Sequence, residues 1–431
     1  MSYFICISCI ISTYGAADLI IVGKFSGTYA QSGVASGSQL FNMITMVITG
    51  LTMGIIVFLG ECIGSKNRGR YSCWKWCCYI FNFSYCYNFL VVPFSDKLYT
   101  FMHAPIESFE QTKQYVQICG MGMIFIMLYN IIGSVFRGIG DSKTPLMIVT
   151  IACIINILGD FILVAGFRMG AIGAAIATVF AQAISVIFSI YFIIKKKFPF
   201  DFSKKNICFD SECVKMILLI GMPIALQELL VQFSFLFIQV VVNRMGVIES
   251  AAVGVAEKVC VFLMLVASAY MQSISVFVAQ NNGAGEFERS RKALIYRIKT
   301  ALIIGFIMGI ISFFGGNILS SIFSGEYQVT IHAHDYLKAY SIDCLLTAVL
   351  FCFVGYFNGC GKTIFVIIQG IIGAFFVRIP VVFIMSQING ATLFHIGLGT
   401  PISSLVQIIL CVIAYFIYKK RYESIEYGIY N

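Results

Sequence analysis

Long stretches with almost no charge alternate along this chain with short polar breaks. Twelve apolar runs can be drawn, near residues 1–24, 32–62, 71–94, 112–136, 144–166, 170–194, 214–243, 250–279, 298–323, 337–359, 363–387 and 393–418. Each is about 20 residues long or more, the length a helix needs to cross a bilayer. The runs are continuously apolar rather than alternating, so they predict spanning helices and not barrel strands. The expected class is therefore an all-α membrane protein with twelve transmembrane helices.

Composition agrees: of 431 residues, 59% are hydrophobic and 11% charged, with a mean hydropathy of +0.90. An ordinary soluble domain carries about 25% charge. Residues 1–14, "MSYFICISCIISTY", have no charged leader and no small-residue cleavage site, so no removable signal peptide is expected. The net charge of +9 is explained by its distribution. With loops placed alternately on two sides, twenty of the 29 Lys and Arg fall on the side of the N-terminus and six on the other. Positive charge marks the cytoplasmic face, so both termini are expected there, in a multi-pass protein of the cell (inner) membrane, with the lipid bilayer as partner and no nucleic acid.

The sixteen cysteines form no metal or disulfide framework. Cys6 and Cys9 make a lone CxxC in an apolar run, and Cys73, Cys77 and Cys78 have no second pair at ligand spacing. His332 and His334 are placed in a loop. "GCGKT" (359–363) has Tyr356 where a phosphate-binding loop needs its first glycine, so no ATPase site is expected. No Ser/His/Asp or Cys/His set occurs at a plausible loop position, and the protein is not expected to be an enzyme.

The strongly polar stretch "KKKFPFDFSKKNICFDSEC" (195–213) divides the chain near its middle. It suggests an N-terminal bundle at 1–194, a cytoplasmic linker at 195–213, a C-terminal bundle at 214–418 and a tail at 419–431. The halves resemble each other when slid by 219 residues: Gly27 falls on Gly246 and Gly64 on Gly283, and Gly138 and Gly140 fall on Gly359 and Gly361 at a shift of 221. Six helices per half make the repeats parallel, an arrangement that places a substrate path between two bundles.

Within the fifth run, "IACIINILGDFILVAG" (151–166), Asn156 and Asp160 interrupt the apolar pattern four residues apart, on one helix face. A carboxylate at mid-membrane costs at least about 2.5–3.5 kcal/mol, so it needs a compensating reason. One alternative is that both residues merely bond neighbouring helices. The repeat argues against it, because Asn156 and Asp160 fall on Phe375 and Ile379, or on Val377 and Val381 at the longer offset. A corresponding place in the fold does without them.

The ordered segments "AADLIIVGKFSG", "RGIGDSKTPLMIVTIACIINILGDFIL", "GAIGAAIATVFAQ", "GMPIALQ", "VAQNNGAGEFERSRKA" and "RIPVVFIMSQING" resemble the multidrug and toxic compound extrusion (MATE) family of cation-coupled exporters, over about residues 15–70 and 96–418. The resemblance implies two six-helix bundles related by a pseudo-two-fold axis and arranged as a V. It implies an antiporter that exports organic, often cationic, small molecules in exchange for Na+ or H+ by alternating access, with no cofactor beyond the coupling ion. The family's cation site falls here on Asp18, Asn156, Asp160 and Thr178. Two carboxylates, an amide oxygen and a hydroxyl suit Na+, or a proton shared by the carboxylates. Gln182, one turn beyond Thr178, is a candidate support. Gln39, Asn42, Asn130, Gln227 and Glu228 are candidate cavity residues.

The acidic site that one branch of the family has in its second bundle is not expected, since Glu228 lies three positions before Val231 and Asp343 four before Thr347. Glu257 and Lys258 are either an ion pair or part of the cavity lining. A flippase for lipid-linked precursors, from the wider superfamily, would need a cavity with several Arg and Lys, and only Lys258 and Arg378 offer themselves. Residues 71–94 depart from the family: ten of the 24 are aromatic and none is Ala or Gly. With residues 1–14 they raise the alternative of shifted reading frames and an inactive transporter. A monomer is expected.

Overall fold

The structure, a computed structural model, describes residues 2–65, 109–196, 211–324 and 326–426. The described chain is helical almost throughout, and nine of its helices are long and apolar enough to cross a membrane, or ten if one bent pair is a single span. The third predicted run, 71–94, lies outside the described residues.

Helix Ser2–Gly64 is broken at Gly27 (φ 82) into α1 (2–26) and α2 (28–64). The pair α3 (Phe109–Met121) and α4 (Met123–Gly138) is bent by 51°. A turn leads to α5 (Lys143–Asp160), which widens into a π-helical turn over Phe161–Gly166, and then to α6 (Gly170–Lys195). The second half runs α7 (Ser211–Asn243), α8 (Val247–Gly283), α9 (Phe287–Ser321) and α10 (Tyr327–Gly359). It ends with α11 (Thr363–Ile371), a π-helical stretch Ile372–Arg378, α12 (Ile379–Ser386), the short α13 (Leu393–Gly397) and α14 (Gly399–Glu426).

The chain forms two compact units, Met1–Ala225 with Gly283–Gly285, and Leu226–Asn282 with Glu286–Asn431. The repeat seen in the sequence has a backbone counterpart. Gly27 and Gly246 both have positive φ, 82° and 152°, as do Gly140 and Gly361, at 88° and 70°. L side chains avoid these conformations, which is why glycines were the landmarks that survived.

Two helices start earlier than their hydrophobicity indicates. Phe287 opens α9, where the apolar run begins at 298, and Tyr327 opens α10, where the run begins at 337. Hydropathy finds the membrane-embedded part, whereas a helix continues through charged residues beyond it. The histidines are corrected in the same way: His332 and His334 lie in the first turns of α10, and His334 Nε2 is 2.7 Å from the Phe313 carbonyl oxygen.

Candidate cation site

The first unit's polar residues sit on the inner edge of otherwise apolar helices. On α5 the buried stripe is Pro145, Ile148, Val149, Ala152, Asn156 and Asp160. The opposite edge, with Met147, Ile154 and Leu158, is exposed. This reverses the soluble pattern, as expected where lipid takes the place of water. The facing stripe of α6 is built of small residues around Thr178: Ala174, Ala177, Ala181 and Ser185. Side chains this small allow close approach, and a Cβ added at Gly159 of α5 would lie 3.0 Å from the Ala177 Cβ. Asp18 comes from α1, whose end is tied to the π-helical turn by an edge contact between Phe25 and Phe161, with ring centroids 6.3 Å apart.

The structure brings Asp18, Asn156, Asp160 and Thr178 together. Asn156 and Asp160 are wholly buried, and Asp18 and Thr178 are 4% and 8% exposed. Thr178 Oγ1 donates to Asp18 Oδ2 at 3.4 Å, and Asn156 Nδ2 donates to Thr178 Oγ1 at 3.5 Å. These are long, weak contacts. The Asp160 carboxyl lies beside that of Asp18, near enough for one proton to bridge them. Without such a proton both groups only accept, and Asp18 Oδ1, Asn156 Oδ1 and both Asp160 oxygens are left buried with no partner.

Buried polar atoms are normally paired, and orphans ask for an explanation. These four oxygens, from two carboxylates and an amide, form with the Thr178 hydroxyl a hard donor set that suits an alkali cation or a proton. They do not suit a transition metal, and among the described residues no three His, Cys, Asp or Glu side chains converge as such a site would require.

Gln182 ends in a buried, unpartnered Oε1, one turn along α6 from Thr178. Asn130 is turned back on its own helix, donating to the Ile126 carbonyl at 2.8 Å. The backbone places Gln39 and Asn42 on α2, but their side chains lie outside the described part. Gln227 and Glu228 belong to the second unit, where Gln227 packs against Gly370 of α11. Cys119 of α3 and Cys153 of α5 lie close enough to Asp18 to feel its charge. Sequence reading gave no reason to single them out, since cysteine is a common small core residue.

The sequence model of the MatE family matches residues 4–162 and 223–384, and the first of these spans includes 71–94. That of the lipid II flippase MurJ matches residues 87–245, across the join of the halves. Among relatives, the probable multidrug resistance protein YoeA of Bacillus subtilis (strain 168) is 25% identical over 94% of this chain and 89% of its own length. The multidrug export protein MepA of Staphylococcus aureus (strain bovine RF122 / ET3-1) is 24% identical over 93% and 88%. A solved structure of a MOP superfamily transporter from Pyrococcus furiosus Vc1 superposes with a TM-score of 0.91, at 18% identity, covering 98% of this chain and 94% of that one.

Proposed function

The chain belongs to the MATE family of multi-pass membrane transporters, and from that premise we propose that it is an antiporter exporting small organic compounds in exchange for Na+ or H+ that binds at Asp18, Asn156, Asp160 and Thr178. The observation that carries the reading is the pair of adjacent buried carboxylates with orphaned oxygens and, among the described residues, with no Lys or Arg side chain beside them. Two negative charges in so dry a place are untenable alone. A proton or an alkali ion shared between them cancels one of the two charges and lowers the penalty, and the long contacts to Thr178 leave its hydroxyl oxygen free to turn toward such an ion.

The coupling follows from the same energetics. With the site empty, the repulsion between Asp18 and Asp160 favours whichever arrangement of the bundle admits a cation. Once it is loaded, the repulsion between the carboxylates is relieved and the site can close. A transporter that exchanges its loaded, closed form for the substrate-bound form moves the two cargoes in opposite directions by alternating access. The organic substrate is proposed from the relatives' description as multidrug proteins, and the placement of both termini on the cytoplasmic side from the distribution of Lys and Arg. A lipid-precursor flippase is less well supported, because the MurJ match covers one stretch whereas the MatE match covers both halves.

The test is dye export from cells, or dye uptake into inside-out vesicles, under an imposed Na+ or H+ gradient. Export that collapses with the gradient, and is lost in Asp160→Asn while the protein still reaches the membrane, supports the proposal. Undiminished gradient-driven export by Asp160→Asn would overturn it.

A further inference from the structure

The first four turns of α9 carry five basic residues, Arg289, Arg291, Lys292 and Arg297 before the apolar run begins and Lys299 at its edge. They divide into two kinds. Arg291 is turned inward, 7% exposed, with its Nη1 donating to Glu288 at 3.1 Å. Arg297 donates to Ser273 of α8 at 3.3 Å, and Arg289 packs over the Phe277 ring at 5.7 Å. Lys292 and Lys299 are exposed, as Arg289 is, but stand along the outer edge of the helix, with Tyr296 between them. The spacing 292, 296, 299 and 303 follows one helical face. The Lys299 ammonium lies 6.0 Å from the centre of the Tyr296 ring.

That face continues without a break into the surface that meets lipid. Beyond Lys299, Ile303, Phe306, Ile310, Phe314 and Ile318 are all exposed. The exposed apolar stretch from Leu302 to Ile322 rises about 30 Å as a helix, the thickness of the hydrocarbon core. Lys299 therefore stands where hydrocarbon gives way to headgroups, and Lys292 stands about 10 Å further out along the axis. Between them Tyr296 offers an apolar ring with a polar tip, the side chain that settles at this depth. The inner edge of the helix, with Ser290, Leu294, Ala301, Gly305 and Gly309, is buried.

We propose that Lys292, Tyr296 and Lys299 form a docking site for the headgroup of an anionic phospholipid, whose acyl chains lie along the Ile303–Phe306–Ile310 edge of α9. Charge complementarity selects the headgroup, and continuity with the exposed apolar edge selects a lipid over a free anion. The two lysines reach the phosphate and a second negative oxygen from opposite sides, while the tyrosine hydroxyl supplies a neutral donor at the ester level.

The test is native mass spectrometry of the full-length protein in detergent, titrated with phosphatidylglycerol or with phosphatidylcholine. The parent should retain phosphatidylglycerol in preference. The double variant Lys292→Gln/Lys299→Gln should bind it about 30-fold more weakly with phosphatidylcholine adducts unchanged, and single Lys299→Gln about fivefold more weakly. If the double variant does not elute as folded protein, the single variant carries the test. Lys362→Gln/Lys420→Gln, at another basic end of the same unit, should leave the preference intact. The proposal fails if folded Lys299→Gln binds phosphatidylglycerol as the parent does, if the Lys362/Lys420 variant loses as much, or if glycerol phosphate displaces the lipid at equal concentration.

Discussion

Each half of the molecule buries carboxylates, but it surrounds them differently. In the first unit Asp18 and Asp160 face each other, and among the described residues an amide and a hydroxyl attend them. In the second, Asp343 of α10 accepts from Thr347 Oγ1 at 2.9 Å and stands within the field of Arg378, a permanent cation that is itself buried. Arg378 is held by a 2.8 Å bond to Ser234 and by the Phe235 ring, 4.6 Å away. Asp343 Oδ1 and Glu257 Oε1 are also without partners, so orphaned oxygens alone do not separate the halves. The separating feature is the built-in cation. A carboxylate with a hydroxyl donor and a guanidinium in its field has less need of a mobile cation than two carboxylates set side by side, and the second unit serves as an internal control for the first.

The largest expected effect tests that control directly. Asp160→Asn and Asp18→Asn should each reduce gradient-driven export to background, whereas Asp343→Asn should keep at least about half of it and Glu257→Gln should fall nearer to Asp343→Asn than to Asp160→Asn. Rates in reconstituted vesicles decide this, and equal losses in both halves would erase the distinction. Next, Arg378→Met should act on stability rather than coupling. Removing one member of a buried charge set costs about 3–5 kcal/mol, seen as a lowered unfolding midpoint in detergent. Adding Asp343→Leu should recover part of that loss, because both charges are then gone.

A smaller effect is expected at the hydroxyl. Thr178→Val keeps the shape and removes one oxygen, so the cation concentration for half-maximal export should rise about fivefold to tenfold with the maximal rate little changed. An unchanged cation requirement would remove Thr178 from the site. The smallest effect concerns the paired glycine turns. In the first half Asp141 caps α5 through the Thr144 backbone N–H at 3.1 Å and pairs with Lys196. In the second, the residue after Gly361 is Lys362, whose ammonium lies 5.5 Å from the Tyr418 ring.

Burial by itself would raise the Asp141 carboxyl, but the hydrogen bonds from Lys196 and Thr144 prevail and hold it below the usual carboxylate range. Its contribution is thus present above about pH 4, where the unfolded group is ionised, and is lost as the pH falls through the lower folded value. Because the pair is partly exposed, Asp141→Ala should cost only about 1 kcal/mol at neutral pH. The gap from the parent should narrow in acid, and coupling should be untouched.

Much of this was legible in the sequence because lipid imposes a severe rule. A polar residue inside a spanning run stands out, and Asn156 and Asp160 were conspicuous for that reason. Asp18 and Thr178 were less so: each is a single polar interruption of its run, and it took the family resemblance to join them to the pair. The early starts of α9 and α10 were hidden because helix and membrane end at different residues, and hydropathy reports only the membrane. The Arg378–Ser234 bond joins residues 144 apart in sequence, and nothing in either segment announces the other. Asn130 shows the same limit at short range, since nothing in its run announces that one amide N–H bonds the Ile126 carbonyl of its own helix.

The central claim is that one mobile cation belongs to the Asp18–Asp160 pair and none to Asp343. Binding to the purified full-length protein tests it most directly, by equilibrium uptake of radioactive Na+ together with proton release or uptake recorded in weak buffer. The parent and Asp343→Asn should bind one Na+ or one proton at this site, and Asp160→Asn should bind neither. Uptake retained in Asp160→Asn, or lost in a folded Asp343→Asn, would contradict it.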